Sequence, residues 1–165
     1  MHEGVIKSLE GKIKYSGGRI GIVVSKFNSD ITGNLLEGTL FGLKKYGVPE
    51  DMVKVVKVPG AFEIPLATQK LLRGEIGGSD IVITLGVIVK GETAHYEYVC
   101  KEGADGIMQV QLTENKPVIF EVLMVENVEL AEARAVVPDW HKNKGYVAAL
   151  NALEMLDLYN NKTTL

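Results

Sequence analysis

The sequence predicts an α/β fold: a three-layer sandwich in which a central four-stranded parallel sheet carries helices on both faces. Two observations lead there. Short apolar runs alternate with longer segments of helical period along the chain, the pattern of successive strand–helix units. One of those runs, "DIVITLGVIV" from Asp80, is almost unbroken Ile, Val and Leu, which demands burial on both faces, as in a parallel sheet. The chain has 165 residues and shows no repeat, low-complexity tract or linker, so residues 1–165 read as a single domain with a sizeable core.

The elements follow in order. Residues 1–17 form an amino-terminal extension, in which "EGKIKY" is a candidate extra strand available to a neighbouring subunit's sheet. "RIGIVVS" is the first strand, rich in β-branched residues and closed by the polar Lys26, Asn28 and Ser29. The helix after it sets Ile31, Leu35, Thr39 and Leu43 on one stripe and stops at Gly47, with Pro49 beyond. "MVKVVKV" is the second strand, ended by Pro59-Gly60; its helix runs from about Phe62 to Arg73, with Pro65 tolerated because it stands in the first turn. The third strand leads into a helix bearing Val99, Cys100, Gly103, Ile107 and Gln111 at steps of three and four. "KPVIFEVLMV" is the fourth strand. A short helical piece from Val128 to Ala135, the turn "VVPDWHKNKG" and a last helix with Ala149, Ala152, Leu153 and Leu156 on one face complete the chain.

Composition narrows the function. The apolar fraction of 46% and charged fraction of 24% are those of a soluble globular chain, and a net charge of −3 supplies no basic field for nucleic acid. The apolar runs are too short to span a membrane, and the amino terminus lacks the apolar stretch of a signal peptide. The lone Cys100 cannot form an intrachain disulfide and suits a reducing compartment, so the expected location is the cytoplasm. On that reading the sequon Asn161-Lys162-Thr163 carries no meaning. Neither a P-loop nor metal-ligand spacing is present, which disfavours a nucleotide hydrolase or a metal enzyme.

Ligands of open parallel sheets bind beyond the carboxyl ends of the strands. That rule selects "SKFNSD", "VPGAFE", "VKGETAH" and the residues after "VIF". Phe27, Phe62 and Phe120 each fall at a strand end, and three aromatics around one rim predict a flat ring as ligand. Gly91, Glu92 and Thr93 open the third helix on this reading, where backbone amides and the Thr93 hydroxyl can cradle a phosphate. The same pattern is equally that of a plain N-cap. His95 stands in the first helical turn, where the positive helix end disfavours imidazolium, so it is either a proton acceptor or a surface histidine. Arg134 can grip a phosphate bidentately and Lys144 can act on one, or both can be solvated cations.

Together "SKFN", "VPGAFEIP", "LGVIVKGETAHYEYV", "PVIF" and "ARA…NKG…A…A…EM" resemble the lumazine synthase family in order and spacing, over nearly the whole chain. The resemblance implies a flavodoxin-like sandwich that assembles as a homopentamer, free or packed as a sixty-subunit shell, with active sites between adjacent subunits and riboflavin synthase as a candidate partner. It implies a cofactor-independent transferase that condenses 5-amino-6-ribitylaminouracil with 3,4-dihydroxy-2-butanone 4-phosphate. In that scheme Phe27, Ala61, Phe62 and Glu63 hold the first substrate, with Phe120 closing the pocket from the neighbour. Gly91, Glu92, Thr93, Arg134 and Lys144 hold the phosphate, and His95 transfers protons. The alternative is a flavin- or lumazine-binding or shell-forming relative without turnover; Phe27, Glu63, Thr93, His95 and Arg134 favour the enzyme.

The chain also departs from the family pattern. Glu121 stands where many relatives have Gly, and Met124 and Val125 replace small polar residues. Val147 takes the place of an acid three residues after Lys144. The turn between Arg134 and Lys144 is longer and carries Pro138, a feature that goes with free pentamers in the family.

Overall fold

A computed structural model describes residues 8–160. Four parallel strands form one sheet: β1 (Ile20–Ser25), β2 (Val53–Val58), β3 (Ile81–Val89) and β4 (Val118–Val125), in the order β2-β1-β3-β4. The helices are α1 (Ser29–Lys45), α2 (Ile64–Leu72), α3 (His95–Glu114), α4 (Val128–Glu132) and α5 (Lys144–Asn160). Single 3₁₀ turns stand at Glu50–Met52, Ala61–Glu63 and Trp140–Lys142.

The expected layers are present. One face of the sheet packs Ile20, Ile22, Ile83, Leu85 and Leu123 against Leu35 and Leu43 of α1 and Ala148, Ala152 and Leu153 of α5. The other packs Val23, Val82 and Val122 against Ile64 and Leu71 of α2 and Ile107 and Val110 of α3. β3 is buried along all but its last residue, as its two-sided apolar sequence demands. Each fully buried Ile, Leu or Val contributes about 1.5–3 kcal/mol relative to exposure. The α1–α5 contact is close because of glycine: a Cβ on Gly145 would collide with the Leu35 carbonyl oxygen, and one on Gly38 with the Asn143 side chain.

Three boundaries differ from the sequence reading. The helical chain after β2 begins as a 3₁₀ turn, and α2 proper starts at Ile64, with Pro65 in the first turn where its missing N–H costs nothing. The third helix starts at His95 rather than Gly91: Lys90 N–H still bonds the Val125 carbonyl at 2.9 Å, as a continuation of the sheet, so residues 91–94 form the turn. α4 ends at Glu132, leaving Arg134 beyond its last turn.

Among the described residues Glu10–Tyr15 pairs with no strand. It lies along α5 instead, where the Lys12 N–H donates to the fully buried Asp157 carboxylate at 2.8 Å. Residues 1–7 and the sequon at 161–163 lie outside the described residues. Among the described residues no helix is long and apolar enough to cross a membrane.

Candidate active site

The first group of site residues gathers at the carboxyl ends of β1, β2 and β3. Past Ser25 the chain leaves the sheet with two more ladder bonds, Lys26 N–H to the Val58 carbonyl (2.8 Å) and Phe27 N–H to the Pro59 carbonyl (3.1 Å). Phe27 is therefore fixed beside the turn that leads to Ala61, Phe62 and Glu63. Asn28 then takes a left-handed conformation (φ 57°), which Asn tolerates better than most residues, and its Nδ2 donates to the Val87 carbonyl at 3.3 Å. This residue carries no chemistry, yet it ties the Phe27 loop to β3; sequence reasoning had it only as a strand terminator.

Phe27 and Phe62 are 71% and 59% exposed. The core of this chain does not account for two phenylalanines left in water beside the same turn. Glu63 turns back on its own loop: Oε2 accepts from Gly60 N–H at 2.9 Å, leaving Oε1 for a ligand hydroxyl. Ala61 is buried beneath.

The turn from Gly91 to Ala94 is exposed throughout, as is His95. Thr93 Oγ1 accepts from the His95 N–H at 3.4 Å, and Ala94 is the N-cap of α3. Glu92 is exposed and has no ion-pair partner among the described residues; Lys90 pairs with Glu126 at 3.3 Å instead.

Phe120 corrects the three-aromatic rim. It is the third residue of β4, opposite Thr84 in the middle of β3. Five residues separate it from the strand's carboxyl end, about 17 Å at the rise of an extended chain. Within one chain it cannot join Phe27 and Phe62. It is 43% exposed on the outer edge strand of the sheet, and so is available to another molecule.

Arg134 and Lys144 lie together at the base of another turn. The Lys144 N–H donates to the Arg134 carbonyl at 2.8 Å, and an isolated antiparallel bridge joins Ala135 to Asn143. The turn between them is pinned from inside by Asn143, which is fully buried. Its Nδ2 donates to the Asn34 and Val136 carbonyls (2.9 and 3.1 Å), and its Oδ1 accepts from Tyr146 N–H (3.2 Å). Trp140, at the crest of the turn, stacks on Phe41 with ring centroids 4.5 Å apart. Arg134 itself donates Nη1 to the Leu130 carbonyl at 2.8 Å. Sequence reasoning missed Asn143, because "NKG" reads as an ordinary turn.

The candidate residues therefore fall into separate groups: Phe27, Ala61, Phe62, Glu63 and the turn from Gly91 to His95 at the carboxyl ends of the strands, Arg134 and Lys144 at the base of the turn before α5, and Phe120 on the edge strand. A cleft of about 560 Å³ at the far end of the sheet, lined by Asp80, Gln111, Lys116 and Tyr159 among others, collects none of these residues. Cys100 is half-buried on α3, and burial pushes its thiol up, as suits a packing residue rather than a nucleophile.

Comparison with known proteins gives the same answer over almost the full length. A 6,7-dimethyl-8-ribityllumazine synthase of Protochlamydia amoebophila (strain UWE25) is 47% identical over 154 residues, 93% of this chain and 87% of its own. Residues 17–160 match the family model for 6,7-dimethyl-8-ribityllumazine synthase, and the chain belongs to that family.

Proposed function

We propose that this enzyme condenses 5-amino-6-ribitylaminouracil with 3,4-dihydroxy-2-butanone 4-phosphate to 6,7-dimethyl-8-ribityllumazine, releasing phosphate and water, as the penultimate step of riboflavin biosynthesis. The observation that carries the reading is the division of the site residues. Phe27, Ala61, Phe62, Glu63 and the turn from Gly91 to His95 share one rim, while Phe120, Arg134 and Lys144 lie along the flank of the edge strand. Two such halves make one site when the flank of one subunit meets the rim of the next. The oligomer is a ring, and the pentamer of the family is the assembly assigned to it. The longer turn between Arg134 and Lys144, with its Pro138, favours the free pentamer over the sixty-subunit shell.

In the assembled site Phe27 stacks on the pyrimidine ring, Phe62 and the neighbour's Phe120 border it, and the free oxygen of Glu63 takes ribityl hydroxyls. The amides of Gly91, Glu92 and Thr93, the Thr93 hydroxyl and the neighbour's Arg134 and Lys144 hold the phosphate. The amine of the uracil attacks the ketone and loses water to form a Schiff base. His95 takes the proton whose removal expels phosphate, and closure of the second ring with loss of another water completes the product. Holding the two reactants in register supplies much of the rate, since oriented groups reach effective molarities of about 10⁵ M or more.

The test is to mix both substrates with purified protein and follow the lumazine chromophore. Product above the uncatalysed background supports the reading. Tight binding of the lumazine without turnover would refute it and leave a binding protein.

A further inference from the structure

The chain between α2 and β3, residues 73–80, turns over the amino-terminal ends of the strands, at the opposite end of the sheet from Phe27 and His95. The length of β3 separates the two ends, about 30 Å at the rise of an extended chain. Gly74, Gly77 and Gly78 hold positive φ (79°, 133° and 83°), a path that glycine takes without strain. Against this turn lies a cavity of about 500 Å³, lined by Arg19, Arg73, Gly78, Ser79, Asp80 and Lys116 among others.

Cations converge on the turn. Lys116, half-buried just before β4, donates Nζ to the Leu72 and Ser79 carbonyls at 2.7 and 3.3 Å. Arg19, just before β1, donates Nη1 to the Gly77 carbonyl at 3.5 Å. The Lys54 ammonium of β2 lies over Gly77, 2.6 Å from where a Cβ would stand. None of these three has a carboxylate within 4 Å among the described residues, whereas Arg73 has Glu114 at 2.9 Å. Lys116 has a plain reading as the cation that answers the carbonyl end of α2. That reading leaves Arg19 and Lys54 unexplained.

The turn is also short of acceptors. Ser79 is 4% exposed and its Oγ has no partner among the described residues. Nor does any acceptor among them take the N–H groups of Ile76, Gly77, Gly78 or Ser79. The one acid on the lining, Asp80, already accepts the Arg19 N–H through Oδ2 at 2.7 Å. Half-buried charge and buried polar groups are costly unless something pairs with them.

We propose that this cavity is a second anion site, which takes a phosphate-type oxyanion between Arg19 and Lys116, with the Ser79 hydroxyl, the amides of the turn and Lys54 around it. A tetrahedral oxyanion offers acceptor oxygens in several directions at once, which suits donors arriving from three strand ends and a turn. The guanidinium supplies paired donors and the lysine a point charge. Inorganic phosphate and the phosphate group of a small ester share that chemistry. A ligand that ties the starts of β1 and β4 to the end of α2 also stabilises the folded chain.

Hydrogen exchange followed by mass spectrometry on the full-length protein, with and without inorganic phosphate at constant ionic strength, locates the site. Phosphate is expected to slow exchange across residues 74–79, and to do so equally in Arg134→Ala, where the active-site phosphate is weakened. In that background, calorimetric titration should still find phosphate binding, and Arg19→Gln or Lys116→Met should each weaken it about 10-fold, the loss of one set of charge-assisted hydrogen bonds. Lys116→Arg keeps the charge and should bind better than Lys116→Met; the exposed Arg19→Gln tests the site without touching the α2 carbonyls and should leave kcat unchanged. Repeating the exchange with glycerol 2-phosphate separates the sources: protection by it extends the site to esters, and protection by inorganic phosphate alone restricts it to the free ion. Unchanged exchange at residues 74–79 with both ligands overturns the proposal, as does binding in Arg134→Ala that is indifferent to Arg19→Gln and Lys116→Met. These readouts need no turnover, so a wild type that makes no lumazine refutes the function and leaves this site to be judged separately.

Discussion

Replacing Asn143 by alanine should loosen the turn that holds Arg134 and Lys144, and the structure sets the size of the effect. The side chain is 0% exposed and makes three hydrogen bonds, to the Asn34 and Val136 carbonyls and from the Tyr146 N–H. The Tyr146 N–H lies in the first turn of α5, where no intrahelical acceptor exists, so it is left buried and unpaired. The Asn34 carbonyl is less affected, because it keeps its helical acceptor role in α1. At about 1 kcal/mol per hydrogen bond lost, and about 1–3 kcal/mol for a buried group left unsatisfied, Asn143→Ala should cost about 3–5 kcal/mol. For a domain of this size that corresponds to a Tm lower by roughly 6–20 °C. Thermal unfolding followed by circular dichroism at fixed protein concentration reads it. A rise in KM for the phosphorylated ketose, with a smaller change in KM for the uracil substrate, reads the linked effect on the site. Asn143→Asp keeps the acceptor for Tyr146 but turns an anion toward two carbonyls, and should be at least as damaging. A Tm shift below about 2 °C with unchanged KM would refute the reasoning.

Two further outcomes follow from the same geometry. His95→Ala should lower kcat by about 10²–10⁴-fold, the usual contribution of a positioned histidine, without abolishing substrate binding; full turnover, or loss of binding measured by calorimetry, would contradict the role. Cys100, whose thiol is pushed up by burial, should react with a thiol reagent at neutral pH more slowly than a free cysteine, and Cys100→Ala should retain kcat; rapid modification with loss of turnover would overturn that reading.

The parts of the fold that declare themselves in the sequence are those whose burial one chain decides. β3 is legible because both of its faces are covered by its own helices, and α2 because Pro65 fits only a first turn. Phe27 stands out because the polar Lys26, Asn28 and Ser29 surround it at a strand end, and Phe62 because it follows the Pro59-Gly60 turn that ends the second strand. The start of α3 was misplaced because Gly-Glu-Thr offers capping chemistry at several positions, and the extra sheet bond at Lys90 that delays the helix is a tertiary event. Phe120 is set at a strand end by the rule for ligand sites, although the strand read there, "KPVIFEVLMV", runs on to Val125; the structure keeps the strand and overturns the rim position. Asn143 is invisible in sequence because its three partners come from α1, the turn and α5. An exposed side chain looks the same in sequence whichever molecule it faces, so the assignment of Phe120 and Arg134 to a neighbouring subunit comes only from the family resemblance.

The central claim is that each site is built from the rim of one subunit and the flank of the next. Chains carrying His95→Ala and chains carrying Arg134→Ala, denatured together in equal amounts and refolded, test it through lumazine formation. Random assembly puts an intact rim against an intact flank at about a quarter of the sites, because each pairing draws two independent subunits of a symmetric ring. The predicted result is activity near a quarter of wild type from two parents that are each nearly inactive. Activity no greater than that of the separate parents would contradict the account.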